Sequence, residues 1–346
     1  MRPRITYIIT LLTLCATLAA CRGASGDADA PTPAPGAPDV APRIVAARVV
    51  CSLVASNPAA ASVRVAGADG AQSVEIDGTS TWFFGDTVRE TAGGRRDVIH
   101  AAVATSDDRD ASDCIDLRFK QANGEAQPLF PRLEETTAWP DGVLALDDGS
   151  IAFYMVKAIR ESPFSWHVGS VGLGRVAAGS TIGERVTETI WDENSGFGSR
   201  IAGVRSPVRI GDDVIVYIRA DDGGIFAARA PIDRMAEREA YEYRAGDRWV
   251  VNAGDAEPMW PVERGAFPAD NGVQVSRDPA SGQWIALYNG ELASVRVRTA
   301  PEPWGPWSEP VTWLDCRPAV GDRYPYCYSS ELHRQYDAGG GQTRYL

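Results

Sequence analysis

The chain has 346 residues, 44% of them hydrophobic and 23% charged, with a formal net charge of −12. That acidic balance argues against nucleic acid and anionic lipid surfaces as partners. Helical periodicity is nearly absent, which argues against helical and α/β architectures.

At the N-terminus, Arg2 and Arg4 precede an apolar stretch from Ile5 to Leu18 that closes on Leu18-Ala19-Ala20-Cys21. The stretch is short for a spanning helix, and small residues before a cysteine suit a signal peptidase. Residues 1–20 resemble a bacterial lipoprotein signal with its lipobox. The resemblance implies cleavage before Cys21, acylation of its sulfur, and an exported chain held to the bacterial cell envelope, at the outer membrane or cell surface, by lipid alone. An ordinary secretory peptide cut nearby is the alternative. Loss of Arg2 and Arg4 with the leader takes the net charge from −12 to −14. Residues 21–42 hold the lipidation candidate Cys21 and an Ala/Pro-rich run with little to bury, a disordered tether. Residues 43–346 are the expected folded domain, read as a monomer.

Four cysteines lie in that domain, an even number that in an exported chain predicts two disulfides. Cys316 and Cys327 close a short loop and are the first pair; Cys51 and Cys114 then form the second. Neither CxxC spacing nor clustered His is present, so no metal site is expected, and no cofactor. An axial ion such as calcium has no motif to support it.

From residue 69 onward one pattern recurs five times: a polar residue, an alternating run, a Gly/Asp turn, then an aromatic-bearing strand. Its openings are Asp69 (DGAQSVEIDGTSTWFF), Asp141 (DGVLALDDGSIAFYM), Arg205 (RSPVRIGDDVIVYI), Asn271 (NGVQVSRDPASGQWIALY) and Glu331 (ELHRQYDAGGGQTRYL), spaced 72, 64, 66 and 60 residues apart. Repeats of hairpin-like units that cannot bury their faces alone predict an all-β, five-bladed β-propeller. Equivalent positions on five blades surround one central cleft.

Asp77-Gly78 and Asp148-Gly149 read as hairpin turns that use positive φ angles. Third strands are expected at 98–105, 166–171, 225–230 and 294–299. The best helical candidate is Asp233 to Tyr243. The fifth repeat ends at Leu346, inside its second strand; either Ile44 to Ala55 completes that blade or the blade is truncated. Ser276-x-Asp278 with Gly282 and Trp284 echoes the Asp-box, a structural turn motif.

Several segments together resemble the family called domain of unknown function 4185. They are Trp82-Phe83-Phe84-Gly85-Asp86-Thr87, Ala228-Arg229-Ala230-Pro231, Tyr241-Glu242-Tyr243, Gly246-Asp247-Arg248-Trp249, Trp304-Gly305-Pro306-Trp307-Ser308 and Tyr328 to His333. The resemblance covers residues 60 to 346. It implies a five-bladed propeller related to arabinanase-like glycoside hydrolases, some members of the family having been assigned endo-D-arabinanase activity, and hence a glycan as partner.

Glycoside hydrolysis generally needs one protonated and one ionised carboxyl group. Asp69, Asp141 and Glu331 are the opening residues that carry carboxyls, so they are the catalytic candidates. Glu331 is the more natural acid, and one Asp the base or nucleophile. The competing reading makes Asp69 and Asp141, each followed by Gly, turn residues. Arg205 stands where an arabinanase-like enzyme would offer an acid; it cannot donate a proton but could orient a substrate or hold an Asp ionised. Arg205, Asn271, Trp139 and His333 are the substrate-binding candidates, His333 because on a strand it would share a face with Glu331. Asp86 reads as a turn cap, His100 and His167 as inert, and Trp82, Trp284, Trp304 and Trp307 as packing between blades. The leading function is a glycoside hydrolase; the alternative is a non-catalytic polysaccharide- or envelope-binding lipoprotein.

Overall fold

A computed structural model describes the backbone of residues 9–14 and residues 43–54, 57–91, 93–130, 137–162, 165–197, 201–220, 224–260, 272–290, 294–316 and 329–346. The fold is an all-β propeller. Blade one is an antiparallel sheet of Gln72–Ile76, Thr79–Phe84, Ala102–Ser106 and Arg118–Phe119. Blade two pairs Thr137–Ala145, Ile151–Ser162, Ser165–Val176 and Gly183–Asp192. Blade three has five strands, Ile201–Ile210, Asp213–Ala220, Gly224–Pro231, Glu242–Ala245 and Arg248–Val250. Blade four is Gln274–Arg277, Trp284–Asn289, Ser294–Ala300 and Val311–Asp315.

The fifth position is built from both ends of the chain. Thr343–Tyr345 pairs with Ile9–Leu14, which pairs with Ile44–Cys51. On its inner side, the His333 amide donates to the Tyr345 carbonyl at 2.9 Å, so residues 331–333 take the innermost place. Ile44–Cys51, within the Ile44 to Ala55 segment expected to complete this blade, joins its sheet only through Ile9–Leu14, which falls in the expected leader.

Burial follows the blades. Five apolar clusters fill the five gaps: Phe83, Phe153 and Met155 between blades one and two; Tyr154, Trp191, Tyr241 and Tyr243 between two and three; Tyr217, Trp260 and Tyr288 between three and four. Ile285, Leu287 and Leu332 lie between four and five, and Trp82, Phe84, Tyr336 and Tyr345 between five and one. A sheet buried on both faces needs such near-continuous apolar strands, which is why Trp82-Phe83-Phe84 is apolar on successive residues. Trp82 does pack between blades, on Tyr336 and His333. So do Trp304, edge-on to Trp249, and Trp307, edge-on to Trp260.

Local turns largely follow the sequence. Asp77 and Gly78 both have positive φ, 49° and 84°, as a two-residue hairpin requires. At Asp148-Gly149 only Gly149 has positive φ, because the hairpin is longer there: the Leu146 amide reaches the Ser150 carbonyl. The expected strand over 98–105 is instead two, Arg96–Ile99 and Ala102–Ser106, because Thr87–Glu90 leaves the blade to pair with Val65–Ala68 and Arg96–Ile99 pairs on the other edge of Thr87–Glu90. The expected helix from Asp233 to Tyr243 does not form. Single 3-10 turns at Ile232–Arg234 and Arg238–Ala240 lead into the strand Glu242–Ala245. Burial of Met235, Tyr241 and Tyr243, with the Tyr241 hydroxyl donating to the Met235 carbonyl at 2.7 Å, overrides helical propensity there.

Asp278 is the structural turn residue that the Asp-box echo predicts. Its carboxylate accepts from the Ser281 amide and hydroxyl at 3.1 and 2.6 Å and pairs with buried Arg344 of blade five. Cys51–Cys114 is a disulfide that ties blade five to blade one. At a sequence separation of 63 it stabilises by roughly 4 kcal/mol in the chain-entropy picture. Cys316 is also disulfide-bonded; its expected partner Cys327 lies outside the described residues, as do Cys21 and Asn271. No helix among the described residues is long and apolar enough to cross a membrane.

Candidate functional site

The innermost strands converge, and their irregularities aim the opening residues inward. In blade two the register shifts between Asp141 and Val143; in blade three it shifts between Arg205 and Val208. Bulges of this kind bend a strand and redirect one side chain. Gly142 takes φ +60°, and a Cβ there would lie 2.8 Å from Pro207 Cδ, so only glycine lets blades two and three approach this closely. Gly272 has φ +124°, and a Cβ on it would press on the Arg205 stem at 2.9 Å. Gly142 and Gly272, each following an opening position, therefore seat side chains of blade three, Pro207 and Arg205.

Arg205 is the hub. Its Nε lies 2.8 Å from Asp141 Oδ1, its Nη1 lies 3.9 Å from Glu331 Oε2, and its Nη2 donates to Ser329 Oγ at 3.1 Å. Gln72 Nε2 donates to the same Asp141 oxygen at 2.6 Å. Three sequence-selected residues from blades two, three and five thus meet on one guanidinium. Their side chains are only 10–12% exposed. The two ion-pair distances and the width of a guanidinium put the carboxyl groups no more than about 9 Å apart, below the upper limit of separations used for glycoside hydrolysis.

Burial acts unequally on the pair. Loss of hydration raises the Asp141 pKa to about 6, against the opposing pull of Arg205 and the Gln72 hydrogen bond. Glu331 is raised to about 8: loss of hydration dominates, Arg205 opposes it only partly, and the Asp141 charge adds to it. Burial thus lifts both carboxyls above the ordinary carboxylate range, Glu331 further than Asp141.

Beside this pair opens a cleft of about 160 Å³ between blades one and two, with Asp69, Gln72, Asp86, Trp139, Asp141 and Trp166 on its walls. Asp69 is half-buried there. Its carbonyl accepts from the Gly85 amide at 2.6 Å and its amide donates to the Asp86 carbonyl at 2.9 Å, so its backbone extends the pairing of Val65–Ala68 with Thr87–Glu90. Trp139 reaches the cleft as expected. His333 does not share the surroundings of Glu331. It is buried against Trp82, ring centroids 4.4 Å apart, with Nδ1 2.6 Å from Ser73 Oγ. Burial pushes its pKa down to about 3, so it is a neutral bridge between blades five and one. A distorted inner segment explains the departure, since residues 331–333 run into a 3-10 turn at Arg334–Tyr336 and strand alternation does not carry through.

Asp86 is more than a turn cap. Its Oδ1 accepts from Trp139 Nε1 at 2.8 Å and lies 3.0 Å from His100 Nδ1. Sequence reasoning gave neither Asp86 nor His100 a place at the cleft, because their contacts cross from one blade to the next or span a hairpin. Gln72 and Trp166 were missed for the same reason. His167 lies 2.9 Å from Glu161. Among the described residues no group of three or more His, Cys, Asp or Glu is arranged to hold a metal ion.

Residues 55–343 match the family described as Domain of unknown function (DUF4185). The chain belongs to that family. No curated protein matches this DUF4185 chain. Among solved structures it is similar to a candidate hydrolase from Bacteroides ovatus, with a TM-score of 0.54 and 13% identity over 82% of this chain and 86% of that one. Weaker likenesses are to the α-L-arabinofuranosidase PaAbf62A from Podospora anserina, TM-score 0.43, 12% identity, covering 76% of this chain and 71% of that one. Another is to an exo-β-1,3-galactanase from Phanerochaete chrysosporium, TM-score 0.45, 10% identity, covering 81% and 59%. At these identities the likeness concerns the fold.

Proposed function

We propose that this DUF4185 protein is a glycoside hydrolase of the bacterial cell envelope, anchored through acylated Cys21. The observation that carries the reading is the pair of buried carboxyl groups on Arg205 with pKa values driven apart, Glu331 to about 8 and Asp141 to about 6. Splitting two carboxyls in this way supplies a proton donor and an ionised partner at the same pH. Glu331 is the general acid that protonates the departing glycosidic oxygen. Asp141 is the ionised partner that activates water or attacks the sugar. Arg205 keeps Asp141 charged while Glu331 stays protonated. Asp69, on the cleft wall, orients sugar hydroxyl groups.

One feature favours binding without catalysis: Asp141 lines the cleft, whereas Glu331, 3.9 Å from Arg205 Nη1, is not among its lining residues. The two readings separate on a panel of bacterial and plant polysaccharides, arabinans and galactans included. The hydrolase reading expects shortened chains with the wild type and a loss of at least about a hundredfold in Asp141→Asn and Glu331→Gln. Glycan retention by the wild type with no product would favour the binding module. Turnover that survives both substitutions would clear the two residues.

A further inference from the structure

The wall of the cleft carries an arrangement that acid–base chemistry does not use. Trp139 and Trp166 come from the first and third strands of blade two and meet edge-to-face, ring centroids 4.9 Å apart at 79°. Trp166 is 47% exposed, a large apolar ring left open on a cleft that also holds Asp69, Gln72 and Asp86. The indole of Trp139 is fixed from behind, since its Nε1–H donates to Asp86 Oδ1 at 2.8 Å and the same oxygen lies 3.0 Å from His100 Nδ1. The corner is thus made of one tryptophan pinned by a charge-assisted hydrogen bond and a second packed on the first.

An exposed aromatic face beside converging polar groups is the chemistry that takes a sugar ring, whose axial C–H bonds lie on the ring while its hydroxyls reach the polar groups. The charges lining the cleft narrow the class. Asp69, Asp86 and Asp141 face it, and the cation among its lining residues, Arg205, is already occupied by Asp141 and Glu331. A uronic acid or sulfated sugar would bring a further negative charge against these carboxyls, with no further Lys or Arg among the described lining residues to receive it.

We propose that Trp139 and Trp166 form a subsite for an uncharged sugar residue of the glycan, with Asp86 as the positioning residue that holds Trp139. This rests on the hydrolase reading above and names the substrate class of the same cleft. Val156 and Pro140 complete the apolar floor, so the bound ring stacks on the corner with its edge toward Asp141.

Binding is read by tryptophan fluorescence and calorimetry on the Glu331→Gln chain, with neutral and uronate-containing oligosaccharides of equal length, and turnover on the otherwise wild-type chain. Trp166→Ala is expected to weaken binding of the neutral oligosaccharide about tenfold and to raise KM with little change in kcat, leaving the pH profile in place. Asp86→Ala is expected to do the same, and Asp86→Asn, which keeps an oxygen for the Trp139 N–H, to restore most of the affinity. Unchanged binding in Trp166→Ala alongside normal turnover would overturn the subsite and leave the hydrolase reading standing. Equal affinity for the uronate oligosaccharide would overturn the assignment of an uncharged sugar. Absence of both binding and turnover across the panel would overturn the hydrolase reading, and the subsite with it.

Discussion

Replacing the proposed acid should make the protein more stable while abolishing its activity. Glu331 titrates at an ordinary value of 4.5 in the unfolded chain and at about 8 in the fold. The folded state therefore binds this proton more tightly, and native stability falls as pH rises from 4.5 to about 8, then stays level. At pH 7 the chain is 2.5 pH units into that window, and each unit weighs 1.36 kcal/mol, so carrying Glu331 costs roughly 3 kcal/mol there. Glu331→Gln removes the titration and keeps the shape. Thermal unfolding of wild type and variant from pH 4 to 9 is the assay. The two curves should run together near pH 4 and separate steadily above it, by several degrees at pH 7. Parallel curves across the whole range would refute the claim that burial keeps Glu331 protonated.

The other predictions concern the same pair and its surroundings. The kcat/KM profile on a cleavable glycan should be bell-shaped, rising as Asp141 ionises through about 6 and falling as Glu331 loses its proton through about 8. A profile flat from pH 5 to 9 would contradict it. Arg205→Met removes the cation both carboxyls face and should cost about 3–5 kcal/mol at pH 7, with much of the loss recovered at pH 4.5 where both acids are neutral; equal losses at both pH values would argue for packing alone. Because residues 1–20 are read as a removable leader, a chain begun at Arg22 should fold with an unchanged melting temperature. A large loss would instead make Ile9–Leu14 a structural strand of blade five.

Much of this architecture is legible in the chain. Five polar openings, each at the start of an alternating run, do fall on or beside innermost segments wherever the structure describes them, at Asp69, Asp141, Arg205 and Glu331. The Asp-Gly and Asn-Gly pairs mark where the backbone must take positive φ, and Gly142 and Gly272 show why, since each admits a neighbouring blade at close range. The chemistry was less legible. Arg205 reads as a departure from an acidic position; its value as the shared partner of Asp141 and Glu331 is a property of blades two, three and five meeting. His333 sits two residues from Glu331, which on a regular strand means a shared face, but the following 3-10 turn breaks that rule. The role of Asp86 was hidden because its partner Trp139 is 53 residues away on the next blade. Contacts of this kind carry no local periodicity.

The most direct measurement is the protonation of Glu331 itself. Difference infrared spectra of the carboxyl C=O stretch, taken on the isolated domain at pH 7 and in ²H₂O, should show one protonated carboxyl that titrates near 8 and is missing from Glu331→Gln. Wild-type and variant spectra that match at pH 7, with every carboxyl ionised, would contradict the account.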